Sequence, residues 1–374
     1  MGGFVIQAQV EIQLIAAIVA AACALPGVFL VLRRMAMMSD AISHAILPGI
    51  VIGFFLTSDL ASPLLIAGAA MTGVLTVALV EVISRTELIK EDAAIGIVFP
   101  ALFSVGVILI AQFAGDVHLD VDAVLLGELA FAPFDRLIVN GQDIGPRSLY
   151  LMSGVLLVNL AFITVFFKEL KIATFDTALA ASLGLMPALL HYALMGLVSV
   201  TAVGAFDAVG SILVVALMVG PPSAAYLLTD RLSVMLVLSA AIGAACAVAG
   251  YWLAHLLDAS IGGAMATMIG VAFALTWLLA PDQGYVARRK RRRRQHWLFA
   301  TKMLTVHLLS HEGLPEAKTE CREDHLTNHL RWEKSFALEA VRTAVSRGLV
   351  VRNGALLELT TAGRQLAARA VEEI

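Results

Sequence analysis

The sequence predicts an all-α polytopic membrane protein of eight or nine transmembrane helices, followed by a small α+β cytoplasmic domain of winged-helix type. Three observations carry that prediction. Of 374 residues, 59% are hydrophobic and 15% charged, against roughly 45–50% and 25% in a soluble domain. The charge is also segregated, with 28 Asp, Glu, Lys and Arg in residues 1–286 and 27 in the last 88. Finally, the charged tail has helical apolar spacing and then two alternating stretches about Asn353-Gly354, which read as helices followed by a hairpin. The predicted division is a membrane domain at 1–286, a polybasic linker at 287–296 and a tail domain at 297–374.

A span needs about 20 predominantly apolar residues. Nine runs qualify: 12–32, 38–57, 62–83, 93–113, 148–167, 187–206, 209–228, 232–257 and 263–280. The weakest division is between the sixth and seventh, where 203–210 is rich in small residues and a kinked or re-entrant connection would leave eight. Loop charges set the orientation, because Lys and Arg are retained in the cytoplasm. One face receives Arg33, Arg34, Arg85, Lys90, Lys168, Lys171, Arg231 and the run Arg288–Arg294, while the other receives Arg136 and Arg147. Nine spans with the N-terminus outside and the C-terminus inside fit that pattern. The first run lacks the cationic stretch of a cleavable signal and reads as a retained span. Cys23, Cys246 and Cys321 cannot build a disulfide framework.

The second span opens Ser39-Asp40-Ala41-Ile42-Ser43-His44 and continues to Pro48-Gly49. On a helix, Asp40 and His44 project from one face. A carboxylate at a helix centre costs about 2.5–3.5 kcal/mol on insertion scales, so this one requires a partner, water or a cation. One carboxylate oxygen and one imidazole nitrogen suit manganese, iron or zinc. The competing reading places Asp40 at the interface as a helix cap paired with Arg33 or Arg34. Pro26-Gly27, Pro48-Gly49, Pro100 and Pro221-Pro222 fit either kinks or close helix packing.

The segment Leu32 to Gly49 resembles the signature of the membrane permeases of manganese, zinc and iron ABC importers. The resemblance continues at Asp92–Pro100, Leu125–Glu128, Thr174–Gly184 and Ala208–Leu217, covering nearly all of residues 10–281; Ser39 stands where the family often has Gly. It implies a bacterial plasma-membrane permease that pairs with a second copy or a homologous permease. Such a permease docks a separate ATP-binding cassette ATPase and receives metal from an extracytoplasmic binding protein. The metal path falls on Asp40 and His44. The ATPase-coupling loop falls on 168–186, read as a short helix between turns, with Phe175, Asp176, Ala180 and Gly184 at the matching positions. A plain interfacial helix is the alternative there. The chain has no Gly-x-x-x-x-Gly-Lys-Ser/Thr phosphate cradle, so it is read as a transport subunit rather than an enzyme. It binds no permanent cofactor, the metal is cargo, and ATP belongs to the partner.

Two further sites are suggested by composition. The outer loop 114–147 holds six acids against two arginines, and His118, Asp120 and Asp122 would share a face in an extended stretch, making an acidic vestibule. Glu11, Glu81, Asp207, His191 and His255 lie near span ends and read as interfacial or satisfied side chains. In the tail, Cys321, His325 and His329 are spaced by four, as are His307 and His311, suggesting a regulatory metal site. Arg347–Val350 and Leu359–Ala367 are similar to the wing region of iron- and manganese-dependent repressors. Residues 295–374 carry ten cations and ten acids, which disfavours nucleic acid as a partner. The function expected is ATP-driven import of a divalent metal, manganese ahead of zinc or iron. The rivals are an ion-coupled secondary carrier and a membrane-tethered metal-responsive regulator.

Overall fold

A computed structural model describes residues 2–57, 62–113, 129–139, 142–326 and 330–372. The chain divides into two compact units, Met1–Gly284 and Tyr285–Ile374. In the first unit, α1 (Gly2–Leu32), α2 (Ala36–Ala45), α3 (Leu47–Thr57), α4 (Pro63–Ser84) and α5 (Glu91–Phe113) precede an antiparallel hairpin, β1 (Arg136–Val139) and β2 (Gln142–Pro146). Then come α6 (Arg147–Val165), α7 (Phe167–Phe175), α8 (Thr177–Ser182), α9 (Pro187–Val209), α10 (Ser211–Leu228), α11 (Leu232–Leu257) and α12 (Ile261–Leu279). Among the described residues nine helical segments are long and apolar enough to span a membrane. The doubtful connection at 203–210 is a division between two helices, made by Gly210 at φ 76°.

Helix α1 lies at the centre and packs on α6, α9, α10 and α11. It can do so because from Leu14 to Leu32 it is apolar on every side, which excludes a solvated face there, and because Ala16, Ala20, Ala22, Ala24 and Gly27 keep it thin. A Cβ added at Gly27 would lie 2.0 Å from the Met218 carbonyl oxygen of α10. The buried Asn159 of α6 donates to the Ala22 carbonyl (2.9 Å) and to Thr201 of α9 (3.0 Å), tying three helices through one polar side chain. In hydrocarbon such a bond is worth of order 1 kcal/mol.

The second span is broken. Helix α2 ends at Ala45 and α3 starts at Leu47. The residue that would donate to the carbonyl of His44 is Pro48, which has no N–H and crowds that carbonyl. Gly49 then lets α3 approach α4, since a Cβ there would lie 2.2 Å from the Gly68 carbonyl oxygen.

The second unit holds α13 (Tyr285–His311), α14 (Ala317–Glu320), α15 (Lys334–Ser346), β3 (Val350–Asn353), β4 (Leu356–Leu359) and α16 (Thr361–Glu372). The polybasic run is not a separate linker segment; Arg288–Arg294 is helical and continuous with the first tail helix. Leu304, Leu308, Leu326, Val341, Val350 and Leu357 make this unit's own core. The hairpin pairs Asn353 with Leu356. Its two-residue loop is therefore Gly354-Ala355, one position later than the sequence suggested. Gly354 sits at φ 67°, the first loop position, where a II′ turn places glycine. The described residues give the tail helices and one small hairpin.

Candidate functional site

The residues from Arg33 to His44 form a turn and one short helix. Helix α1 ends at Leu32, Arg34 takes φ 62°, and α2 begins at Ala36. Ser39 and Ser43 face inward and return their hydroxyls to backbone carbonyls of the same helix, Ala36 and Ser39, at 2.8 Å. That leaves Asp40 and His44 together on the other side. Their closest atoms, His44 Nε2 and Asp40 Oδ1, are 3.6 Å apart, with the side chains 25% and 40% exposed. This is too long for a hydrogen bond. Two metal–ligand bonds of about 2.0–2.2 Å span at most about 4.3 Å, so one cation can touch both atoms. Phe99 and Phe103 of α5 flank the imidazole, with ring centroids 5.6 and 6.3 Å away. The site is thus walled by aromatics on one side and reachable on another.

The arginines of the turn do not take Asp40. Arg33 donates to Thr174 Oγ1 at the end of α7 (3.2 Å), and its Nη1 lies 3.2 Å from His191 Nδ1 of α9. Its burial lowers its pKa, though a guanidinium stays charged in proteins. Thus the turn that leads into the helix of the acid–imidazole pair is linked directly to the 168–186 segment. Beside it lies a cavity of about 150 Å³ lined by Met35, Met38, Glu81, Glu91 and His191 among others. Glu81 accepts from Tyr192 and Arg85, while the Glu91 Oε1 atom is buried with no hydrogen-bond partner.

The 168–186 segment is two helices rather than one. Asp176 leaves the helical conformation at φ −150° and caps α8, its Oδ1 accepting from the Leu179 N–H at 2.9 Å. Gly184, at φ 77°, closes α8 with a paired cap, Leu185 N–H to Ala180 carbonyl and Gly184 N–H to Ala181 carbonyl, both 3.0 Å. That geometry requires a left-handed residue, for which glycine carries no Cβ penalty. Ala180 is buried on Ala173 and Leu190, whereas Phe175, Leu179, Leu183 and Met186 are exposed. An apolar ridge therefore stands on a short, well-capped base.

Other candidates divide. Glu11 pairs with Arg136, which also holds Asp143; His255 stacks on Tyr251; and Glu81 and His191 have the partners given above. His118, Asp120 and Asp122 lie outside the described residues, as do His329 and the side chain of Asp207. In the tail, Cys321 packs in the apolar core. Burial and the Glu312 and Glu320 carboxylates push its thiol up, so it stays protonated. The group brought together there is instead His307, His311 and Glu320, with His325 Nδ1 3.1 Å from Glu320 Oε2. The sequence spacing of His307 and His311 pointed to half of this group; nothing local marked Glu320.

Residues 6–280 match the family described as "ABC 3 transport family". The chain belongs to that family. It is 50% identical over 357 residues to the "Zinc transport system membrane protein TroD" of Treponema pallidum, covering 96% of this chain and 97% of that one. It is 47% identical over 274 residues to the "Manganese transport system membrane protein MntD" of Bacillus subtilis, covering 73% and 92%. Among solved structures, "PsaBC from Streptococcus pneumoniae in complex with Fab" is 30% identical with a TM-score of 0.62, covering 75% of this chain and 94% of that one. The match to TroD is long enough to include most of the tail.

Proposed function

We propose that this chain is the permease of a divalent-metal ABC importer, and that Asp40 and His44 hand the ion through the membrane. The observation that carries the reading is the pair itself. An acid and an imidazole sit 3.6 Å apart immediately before a proline-induced helix break, in a member of a transport family. Discontinuous helices with freed carbonyls are where transporters build ion sites. Two protein ligands are few enough for release, since conduction needs binding weak enough to leave. A second copy or a homologous permease would double the set across a twofold axis.

The energy comes from a partner ATPase. Its proposed seat is the exposed ridge of Phe175, Leu179 and Leu183, with Asp176, Ala180 and Gly184 shaping the base. Motion at the ridge reaches the metal pair through Thr174 and Arg33. The metal arrives from an extracytoplasmic binding protein, and the N-terminus is outside. The tail is cytoplasmic and of winged-helix type, which the order of helices followed by a hairpin supports. Relatives' names include zinc, manganese and chelated iron; one carboxylate and one imidazole serve any of these metals, and manganese is the assignment favoured here. Direct coupling of the turn to an ATPase seat favours this reading over an ion-coupled carrier.

The test is ATP-driven uptake by the reconstituted complex across manganese, zinc and iron, with Asp40→Asn and His44→Ala. Both substitutions should lower uptake at least about tenfold, the scale on which even the supports of a ligand act, with assembly intact. Normal uptake in both variants would remove the proposed path.

A further inference from the structure

The tail carries a second constellation that the membrane pathway does not use. His307 and His311 occupy the last turn of α13, one turn apart, with ring centroids 4.8 Å from each other. Glu320, the last residue of α14, comes to the same place across a tight turn. One ligand atom from each of the three lies within 4.8 Å of the others. We propose that His307, His311 and Glu320 form a divalent-cation site of two imidazoles and one carboxylate, taking zinc or a similar first-row ion.

Four features argue for a built site. First, the donor set suits zinc, iron or manganese, and three bonds of about 2.0–2.2 Å to one ion require these atoms, now within 4.8 Å of one another, to close by about an ångström. Second, His307 Nε2 lies 3.1 Å from the backbone carbonyl of Glu320. A carbonyl only accepts, so that nitrogen carries the hydrogen and Nδ1 keeps the lone pair, the usual way a ligating imidazole is oriented. Third, His325 Nδ1 stands 3.1 Å from Glu320 Oε2, placing a further imidazole beside the carboxylate. Fourth, the backbone around Glu320 is pinned: Cys321 N–H bonds the Ala317 carbonyl, while the Cys321 carbonyl accepts from Leu357 and Glu323 N–H bonds the Ala355 carbonyl of the hairpin loop. The main chain that carries Glu320 is therefore fixed without an ion. The location also suits a cation, because the C-terminal end of a helix is its negative pole.

The site lies wholly within the second unit, so it stands whether or not Asp40 and His44 carry metal. Cys321, which spacing had grouped with His325, is not among its ligands.

The experiment uses the full chain in detergent, purified without an oligohistidine tag and carrying Asp40→Asn and His44→Ala so that the membrane pair is silent. Zinc retention is measured by equilibrium dialysis, and zinc-edge X-ray absorption reports the ligands. About one retained zinc is expected, with a nitrogen and oxygen shell that includes imidazole. His311→Gln and Glu320→Gln should each weaken retention at least about tenfold, and Cys321→Ser should leave it unchanged. The absorption spectrum needs no further variant, so it stands even if a substitution disturbs the fold. No retained zinc, a sulfur ligand, or retention indifferent to both His311→Gln and Glu320→Gln would overturn the proposal.

Discussion

Arg33 is the residue whose replacement separates binding from coupling. It touches neither Asp40 nor His44, yet bridges the turn beneath them to Thr174 and His191. Arg33→Ala should leave ATP hydrolysis and complex assembly in place while metal moved per ATP falls about fivefold or more, the low end of an allosteric coupling of 1–3 kcal/mol. Parallel uptake and phosphate-release assays give that ratio; an unchanged ratio would assign Arg33 to stability alone. Asp40 and His44 could be singled out from sequence because charge in an apolar span is costly and the two stand one helical turn apart. The partners of Arg33 could not, since they are 141 and 158 residues distant and only folding brings them near. Phe99 and Phe103 were hidden for the same reason: in an apolar helix nothing distinguishes an aromatic that lines a site from one that packs.

At the scale of elements, the broken second span and the capped helices of 168–186 are the two devices that position the proposed site. Gly49 permits the α3–α4 approach, so Gly49→Val should lower stability by about 1–3 kcal/mol, as overpacking does, read as earlier thermal unfolding in detergent. A melt identical to the parent's would mean the two helices separate freely. On the coupling segment, Phe175→Ala with Leu183→Ala should weaken co-purification of the ATPase while leaving Asp40 and His44 able to bind metal in the isolated permease. Retained docking would place the seat elsewhere. The proline and glycine of this break were visible in the sequence, but whether they kink a helix or only thin it depends on its neighbours. The 168–186 segment was legible as helical but not as two helices: Asp176, a good N-cap by type, divides it. In the tail, the Asn-Gly dipeptide marked the hairpin correctly while the loop fell one residue later, a shift that pairing across the strands decides.

The whole molecule is two units joined at Gly284, of which the first carries the family match and the second is shared with TroD in sequence. Charge density changes near the same point in the sequence, as hydrocarbon and water select opposite charge densities. Among the described residues nine helical segments are long and apolar enough to span a membrane. Loop charge supplies the orientation on which import is proposed. Removing the chain after Gly284 should preserve ATP-driven uptake and ATPase docking but alter how uptake responds to internal metal. Loss of docking in that truncation would show that the tail belongs to the transport machinery. The His307, His311 and Glu320 group was only half visible beforehand, since Glu320 reaches the histidines through a turn that no periodicity encodes.

The most direct measurement is the position of the ion. Anomalous scattering at the manganese or zinc edge, from the permease crystallised with metal, should place a peak within bonding distance of Asp40 Oδ1 and His44 Nε2. A peak elsewhere in the membrane, with these two side chains unliganded, would contradict the account.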